Sequence, residues 1–190
     1  MEVEIAAEAK DKRFNRMVAI TVVVLSIFMG LSQVKDGNIV QAMQQAQSSA
    51  VDSWGEYQAT KTKQHIDETA LAQIKALSLI GGGKAAQASA PEIARLTAEI
   101  AKYKAEIPQL RAQAKGFEDQ YNALNVHDDQ FDASDALISI AVSMSAVAAL
   151  VEVAGALYGA WVFGAGGIIM GLAGFLGWSL HSDFMARLLS

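Results

Sequence analysis

The chain has 190 residues, of which 52% are hydrophobic and 18% charged, whereas soluble domains carry about 25% charged residues. Its net charge of −5 argues against a nucleic-acid partner, because phosphate binding needs an accumulated positive face. The absence of cysteine excludes disulfides, thiolate nucleophiles and Cys-based metal centres. The composition is typical of an all-α integral membrane protein.

Three stretches have no charged side chain, and each approaches or exceeds the roughly 20 apolar residues that a helix needs to cross a bilayer. The alternative, buried helices of a soluble protein, is disfavoured because little polar sequence remains to cover them. The predicted layout is an N-terminal segment 1–16, transmembrane helix 1 at 17–34, an extramembrane hairpin at 35–132, transmembrane helix 2 at 133–153, transmembrane helix 3 at 157–180 and a tail 181–190.

A cleavable signal peptide is the alternative for the first span. Four acidic residues in the first sixteen and the lack of a small-x-small cleavage site disfavour it. Basic residues cluster just before this span, between Lys10 and Arg16. The positive-inside bias therefore predicts a cytoplasmic N-terminus and an extracytoplasmic middle segment.

A heptad pattern runs through the second half of the middle segment. Apolar residues alternate at spacings of three and four, which is typical of a coiled-coil seam. Pro108 lies inside this pattern and predicts a bend, while Ser89–Glu92 reads as a capping box that starts the helix. The seam residues are Ile93, Leu96, Ile100, Tyr103, Ile107, Leu110, Ala114, Phe117, Tyr121 and Leu124.

The first half of the middle segment is also compatible with a helix, with a predicted break at Asp36–Asn38. The glycines at 81–83 predict a tip over 81–88, so the two arms form an antiparallel, coiled-coil-like hairpin. Pairing residues whose numbers add to about 170 brings apolar residues together. On the first arm this places Trp54, Leu71, Ile74 and Leu77 in the seam. A seam between subunits would give the same pattern.

Small residues form a stripe along the third span, with a short link near Gly155–Gly159 before it. Small residues let helix backbones approach closely in a membrane, so the stripe predicts a packing face, either to another subunit or to the chain's own spans. Its residues are Gly155, Gly159, Ala160, Gly164, Gly167, Gly171 and Gly174.

No pattern predicts a catalytic, cofactor or metal site. Gly81–Lys84 lacks the spacing of a phosphate-binding loop. His127–Asp129 is a poor metal site because neighbouring side chains diverge, and His65 is placed for a pair with Glu106 across the hairpin. Glu152 reads as an interface anchor, with a functional intramembrane charge as the alternative.

The segment 42–64 contains a tryptophan followed by Tyr-Gln-Ala and lysines. With the basic N-terminus and the three spans, it resembles a family of bacterial inner-membrane proteins known only as a domain of unknown function. The resemblance implies a bacterial inner membrane and the same spans, and it brings no activity. The residues that carry it are Trp54, Tyr57, Gln58, Ala59, Lys61 and Lys63.

We expect a non-enzymatic scaffold or accessory subunit without cofactors. Its partners would be the lipid bilayer and either further copies or a larger membrane complex, joined through the glycine-rich span, while the hairpin contacts other proteins. A small oligomeric channel or transporter is the alternative.

Overall fold

The computed structural model describes the backbone of residues 2–178 and the side chains of residues 12–178. Within these residues the fold is all-α without a strand, as predicted from the sequence. The three helices are α1 (Glu2–Ile80), α2 (Gly82–Val151) and α3 (Ala154–Leu176). Each contains a stretch long and apolar enough to cross a membrane. The last two residues of the predicted third span and the tail 181–190 lie outside the described residues.

The chain divides into two units. The span unit comprises Met1–Met43 and Asn122–Ser190, and the hairpin unit comprises Gln44–Tyr121. The hairpin unit is therefore shorter than the predicted segment 35–132.

Helix α1 continues through the predicted break at Asp36–Asn38, and this prediction was wrong. A glycine inside a helix costs about 1 kcal/mol, which tertiary packing readily outweighs. Ile39 and Met43, in the two helical turns after Gly37, are buried. The buried positions of α1 recur every seven residues, at Val18, Leu25, Ser32, Ile39, Ala46, Ser53 and Thr60.

The hairpin tip is shorter than the predicted loop over 81–88. Gly81 forms the turn and α2 begins at Gly82, whose φ of 75° lies in the left-handed region that favours glycine. The predicted capping box does not start α2. Ser89 lies inside the helix and its hydroxyl donates to the Ala85 carbonyl oxygen at 2.9 Å. The helix also continues through Pro91 and Pro108.

The turn between α2 and α3 falls at Glu152 and Val153, earlier than the predicted link near Gly155–Gly159. Glu152 has a φ of 52°, so this residue takes the left-handed conformation that reverses the chain. Gly155 and Gly159 consequently lie inside α3.

The core of the span unit consists of two clusters in which the three helices meet. In one, Val18, Ala148 and Leu157 are buried together. In the other, Leu25 packs with Ile138 and Ala141. Leu157 brings α3 into the first cluster, and the half-buried Ile168 of α3 packs against the second, so all three helices share this core.

Candidate functional site

The glycine stripe of α3 packs against the other helices of its own chain. A Cβ atom added at Gly164 would lie 3.0 Å from Leu25 Cδ2 of α1, and one at Gly174 would lie 2.8 Å from Phe131 Cε2 of α2. Real Cβ atoms rarely approach this closely, so a side chain at either position would require its neighbour to move. The stripe is therefore covered within the chain.

The closest approach to the backbone of another helix lies at the centre of the stripe. A Cβ atom at Gly167 would lie 3.0 Å from the Ser134 carbonyl oxygen, and one at Gly171 would lie 2.7 Å from Phe28 Cε1. The Ser134 hydroxyl donates to the Gly167 carbonyl oxygen at 2.8 Å, which satisfies a polar group that is fully buried. Backbone approach and this hydrogen bond together hold α3 on α2.

At the N-terminal end of the predicted stripe, Gly159 and Ala160 pack against the chain and Gly155 does not. Ala160 is fully buried, and the side chain of Met144 would clash with a Cβ atom at Gly159. Gly155 is exposed, and its nearest neighbour would be Val153 at 3.8 Å. Gly155 is therefore not part of the packing face, because the turn at Glu152 places it at the start of α3 rather than between helices.

A second polar contact joins α3 to α1. The Trp161 indole N–H donates to the Thr21 hydroxyl at 2.9 Å, and that hydroxyl donates to the Met17 carbonyl oxygen at 2.9 Å. Beside it lies an apolar groove of about 390 Å³ lined by residues of both helices, including Ile20, Val24 and Trp161.

The seam of the hairpin unit is closed within the chain. Every predicted seam residue of α2 from Ile93 to Tyr121 is buried or half-buried, and Leu124, beyond the unit, is half-buried. The Trp54 indole N–H donates to Glu118 Oε1 at 2.8 Å, and Lys104 Nζ lies 3.2 Å from Glu68 Oε1. The residue numbers of both pairs add to 172, close to the predicted register.

The seam on α1 consists mainly of small and polar residues and differs from the predicted one. Leu71 and Ile74 are half-buried in it, whereas Leu77 is 66% exposed and does not belong to it. Trp54 is half-buried at its edge. Ten of the buried or half-buried positions follow strict heptad spacing: Ala46, Ala50, Ser53, Tyr57, Thr60, Gln64, Asp67, Leu71, Ile74 and Ser78.

Three residues of the tryptophan motif contact one another on α1. The rings of Trp54 and Tyr57 meet edge to face with centroids 5.3 Å apart. Lys61 Nζ lies 5.7 Å from the centre of the Tyr57 ring, within the range of a cation–π contact. Because Trp54 also bonds to Glu118, the motif helps to fix α1 against α2.

An acidic cluster joins α1 to α2 in the span unit. The Asp36 and Asp128 carboxyl groups share a hydrogen bond, and Asp132 and Asp135 lie close by. Burial and the charges of Asp128 and its neighbours raise the pKa of Asp36 to about 6. Burial also raises the pKa of Asp128 and of Asp132. Two carboxylates in hydrogen-bond contact repel each other when both are charged, so Asp36 and Asp128 favour a state in which they share one proton. Sequence reasoning missed the cluster because Asp36 is 92 residues from Asp128.

The histidines have partners other than those considered from the sequence. His127 Nδ1 lies 3.2 Å from Gln130 Oε1, whose amide donates to the Trp178 carbonyl oxygen at 2.7 Å. His65 Nδ1 lies 3.5 Å from Glu68, one turn away, rather than pairing with Glu106. In residues 12–178, no three His, Asp or Glu side chains are placed to hold a metal ion.

These features define an all-α protein whose three helices are long and apolar enough to span a membrane. The model of the family described as a domain of unknown function (DUF4337) matches residues 14–177. The chain belongs to this family, as its resemblance to such a family suggested. No curated protein and no solved structure matches the chain.

Proposed function

We propose that this protein is a non-enzymatic scaffold or accessory subunit of the bacterial inner membrane, anchored by three helices and using its helical hairpin to contact partners. The exposed apolar surface of the span unit carries the proposal. Only 17% of the apolar stretch of α1, 28% of that of α2 and 33% of that of α3 is buried inside the chain. A bilayer accommodates such surface, whereas water does not.

The outward face of α1 shows this most clearly. Five of its large aliphatic residues are between 53% and 60% exposed: Ile20, Val23, Val24, Ile27 and Leu31. They lie in the charge-free stretch 17–34. Lipid tails, or the spans of a partner subunit, would cover them.

Contacts with other subunits would use surfaces other than the glycine stripe. Gly164, Gly167, Gly171 and Gly174 have no room for a second copy, because α1 and α2 already fill that space. The outward face of α1 and the outer surface of the hairpin are the surfaces available. The seam side chains of the hairpin face each other, so its outer residues would meet partners.

The proposed orientation places the N-terminus in the cytoplasm and the hairpin outside it. The support is the basic cluster that ends at Arg16, together with the positive-inside bias. Reporter fusions at Gly82 should be active only outside the cytoplasm. A cytoplasmic signal there would reverse the orientation.

A shortened hairpin tests the scaffold proposal. Removing 61–67 from α1 and 105–111 from α2 deletes one heptad from each arm and keeps the seam in phase. The full chain and this variant would be extracted in mild detergent and compared by native electrophoresis. Both should insert into the membrane, and only the wild type should migrate as a larger assembly.

Two results would contradict the proposal. The first is a wild-type chain that migrates alone under all extraction conditions. The second is ion conduction by the purified chain in planar bilayers, which would favour a small oligomeric channel. Ile169→Leu, a conservative change at an exposed residue of the span unit that leaves the length and the outer surface of the hairpin unchanged, serves as the control.

A further inference from the structure

The tip of the hairpin exposes a group of aliphatic side chains. Leu77 is 66% exposed, and Leu79 and Ile80 are each 84% exposed. They occupy the last turn of α1, directly before the turn at Gly81. Elsewhere in the hairpin unit, the large aliphatic residues Val51 and Ile66 are 64% and 60% exposed but stand singly. Grouped exposed apolar residues mark an interaction surface, whereas single ones do not.

The charge around the tip has one sign. Between Thr69 and Pro91 the only charged residues are Lys75 and Lys84, one on each arm, and both are exposed. The nearest acidic residues, Glu68 and Glu92, lie outside this stretch. The tip is thus basic on a chain whose net charge is −5.

Carbonyl oxygens at the end of α1 accept hydrogen bonds from groups of the tip itself. The Gly81 amide donates to the Leu77 carbonyl oxygen at 2.9 Å, and the Ser78 hydroxyl donates to the Lys75 carbonyl oxygen at 2.8 Å. These bonds satisfy polar groups at the end of α1. The end of the helix can therefore leave water with fewer unpaired backbone groups.

We propose that the hairpin tip binds a lipid surface with anionic headgroups, its aliphatic residues entering the boundary of the acyl chains and its two lysines meeting the headgroups. This inference rests on the proposed function and names a partner for the hairpin. Aliphatic residues flanked by lysines are the chemistry of interfacial membrane binding. Protein interfaces instead depend on aromatic and arginine anchors. The chain has no Trp, Tyr, Phe or Arg from Gln58 to Ala94, and the next such residue is Arg95.

Arg95 does not serve as an anchor for a protein partner. Its guanidinium group is held by Glu92 at 2.6 Å and by Glu99 at 2.8 Å on the same helix. The free positive charges at the tip are thus those of the two lysines, which suit a diffuse anionic surface better than a shaped protein pocket.

The test uses the full chain in nanodiscs of phosphatidylcholine, mixed with separate vesicles. The vesicles contain either phosphatidylcholine alone or equal parts of phosphatidylcholine and phosphatidylglycerol, so that only the vesicles provide anionic lipid. Flotation then measures the share of nanodiscs bound to vesicles. We expect binding to the anionic vesicles and at least about ten-fold less to the neutral ones.

Two tip variants and one control separate the contributions. Leu79→Asn with Ile80→Asn removes the aliphatic contact, and Lys75→Glu with Lys84→Glu reverses the charge. Each should lower the partition coefficient about ten-fold or more. The control, Val51→Asn with Ile66→Asn, changes two exposed aliphatic residues away from the tip and should bind like the wild type.

A fluorescent label reports insertion without altering the contact residues. Because the chain has no cysteine, Gly83→Cys can carry a polarity-sensitive dye near the tip, and Ala59→Cys can carry it farther along α1. Anionic vesicles should shift the emission of the dye at position 83 to the blue and leave that at position 59 unchanged.

Absence of binding, equal binding to neutral vesicles, or unchanged binding by both tip variants would overturn the proposal. These outcomes differ from a failure of the proposed function. A tip variant that loses vesicle binding but keeps its native assembly separates lipid contact from partner contact. A chain that binds vesicles but never forms a larger assembly would support lipid binding by the tip and contradict the scaffold proposal.

Discussion

The Ser134 hydroxyl donates to the Gly167 carbonyl oxygen at 2.8 Å, and both residues are buried where α2 and α3 meet. The contact exists because Gly167 has no side chain between the two backbones: a Cβ atom there would lie 3.2 Å from the Ile138 amide nitrogen. A hydroxyl on one helix thus stabilises the close approach that a glycine on the other permits.

Ser134→Ala should destabilise the chain by about 1 kcal/mol, since a buried hydrogen bond contributes about that much and those measured in membranes somewhat less. Equilibrium unfolding in mixed micelles measures the change. Ser143→Ala is the control: that hydroxyl is exposed and bonds to the Ser139 carbonyl oxygen of its own helix, so its loss should change little. Equal effects of the two variants would contradict an interhelical role for Ser134.

Gly171→Leu should destabilise the single chain by about 3 kcal/mol, the upper end of the roughly 1–3 kcal/mol that overpacking a filled site usually costs, because a leucine adds a whole side chain. The new side chain would meet Phe28 Cε1 at 2.7 Å and Ser134 Oγ at 2.8 Å. Thermal unfolding beside native electrophoresis measures stability and assembly together. Ile169→Leu, at a position that is 57% exposed, is the matched control. Loss of assembly with unchanged thermal stability would show that the stripe packs between subunits instead.

The sequence could predict the seam of α2 but not that of α1. On α2, large residues such as Leu96, Ile100 and Leu110 mark the seam by hydrophobicity alone. On α1 the corresponding positions hold Ala46, Ser53 and Thr60, which are buried but do not stand out as apolar. A hydrophobic pattern does not reveal a seam of small residues. The pattern instead selects large apolar residues such as Leu77, which is exposed.

The positions of the turns were hard to predict from the sequence, because tertiary packing outweighs the local signals for helix ends. Asp36–Asn38 and Ser89–Pro91 carry residues that favour helix ends, yet both lie inside helices. Local propensities amount to at most about 1 kcal/mol per residue, or about 3 kcal/mol for a proline such as Pro91, and the packing of a long helix exceeds this. The turn at Glu152 was missed because nothing in its side chain favours a positive φ, which the reversal of the chain imposes.

Stability should increase as the pH falls from 7 to 5, owing to the acidic cluster. Burial raises the pKa of Asp36 to about 6 from an ordinary value of 3.8, so the folded chain holds this proton more tightly than the unfolded chain. The contribution is complete below pH 3.8 and is lost as the pH rises through 6. Hydrogen bonds lower the pKa of Glu68 and Glu92, but water still reaches 35% and 46% of these two side chains, so their opposite effect is small.

Asp36→Asn should flatten this pH dependence, since an amide keeps the hydrogen bond to Asp128 and does not titrate. Thermal unfolding between pH 4 and pH 8 measures it. Asp119→Asn, an exposed position of the hairpin unit, should retain the wild-type profile. A wild-type profile in the Asp36 variant would show that the cluster does not couple protonation to folding.

Adjacent glycines at the hairpin tip should respond in opposite directions. Gly82 has a φ of 75°, where a side chain costs about 1–2 kcal/mol, so Gly82→Ala should destabilise the hairpin. Gly83 is helical with no atom within 4 Å of an added Cβ. Gly83→Ala should therefore stabilise it by up to about 1 kcal/mol, because alanine favours the helix. Thermal unfolding of the full chain, with hydrogen exchange of amides near the tip, measures both. Destabilisation by both variants would mean that Gly83 is not in a helical conformation, and stabilisation by both would mean that the tip can re-form as a helix through Gly82.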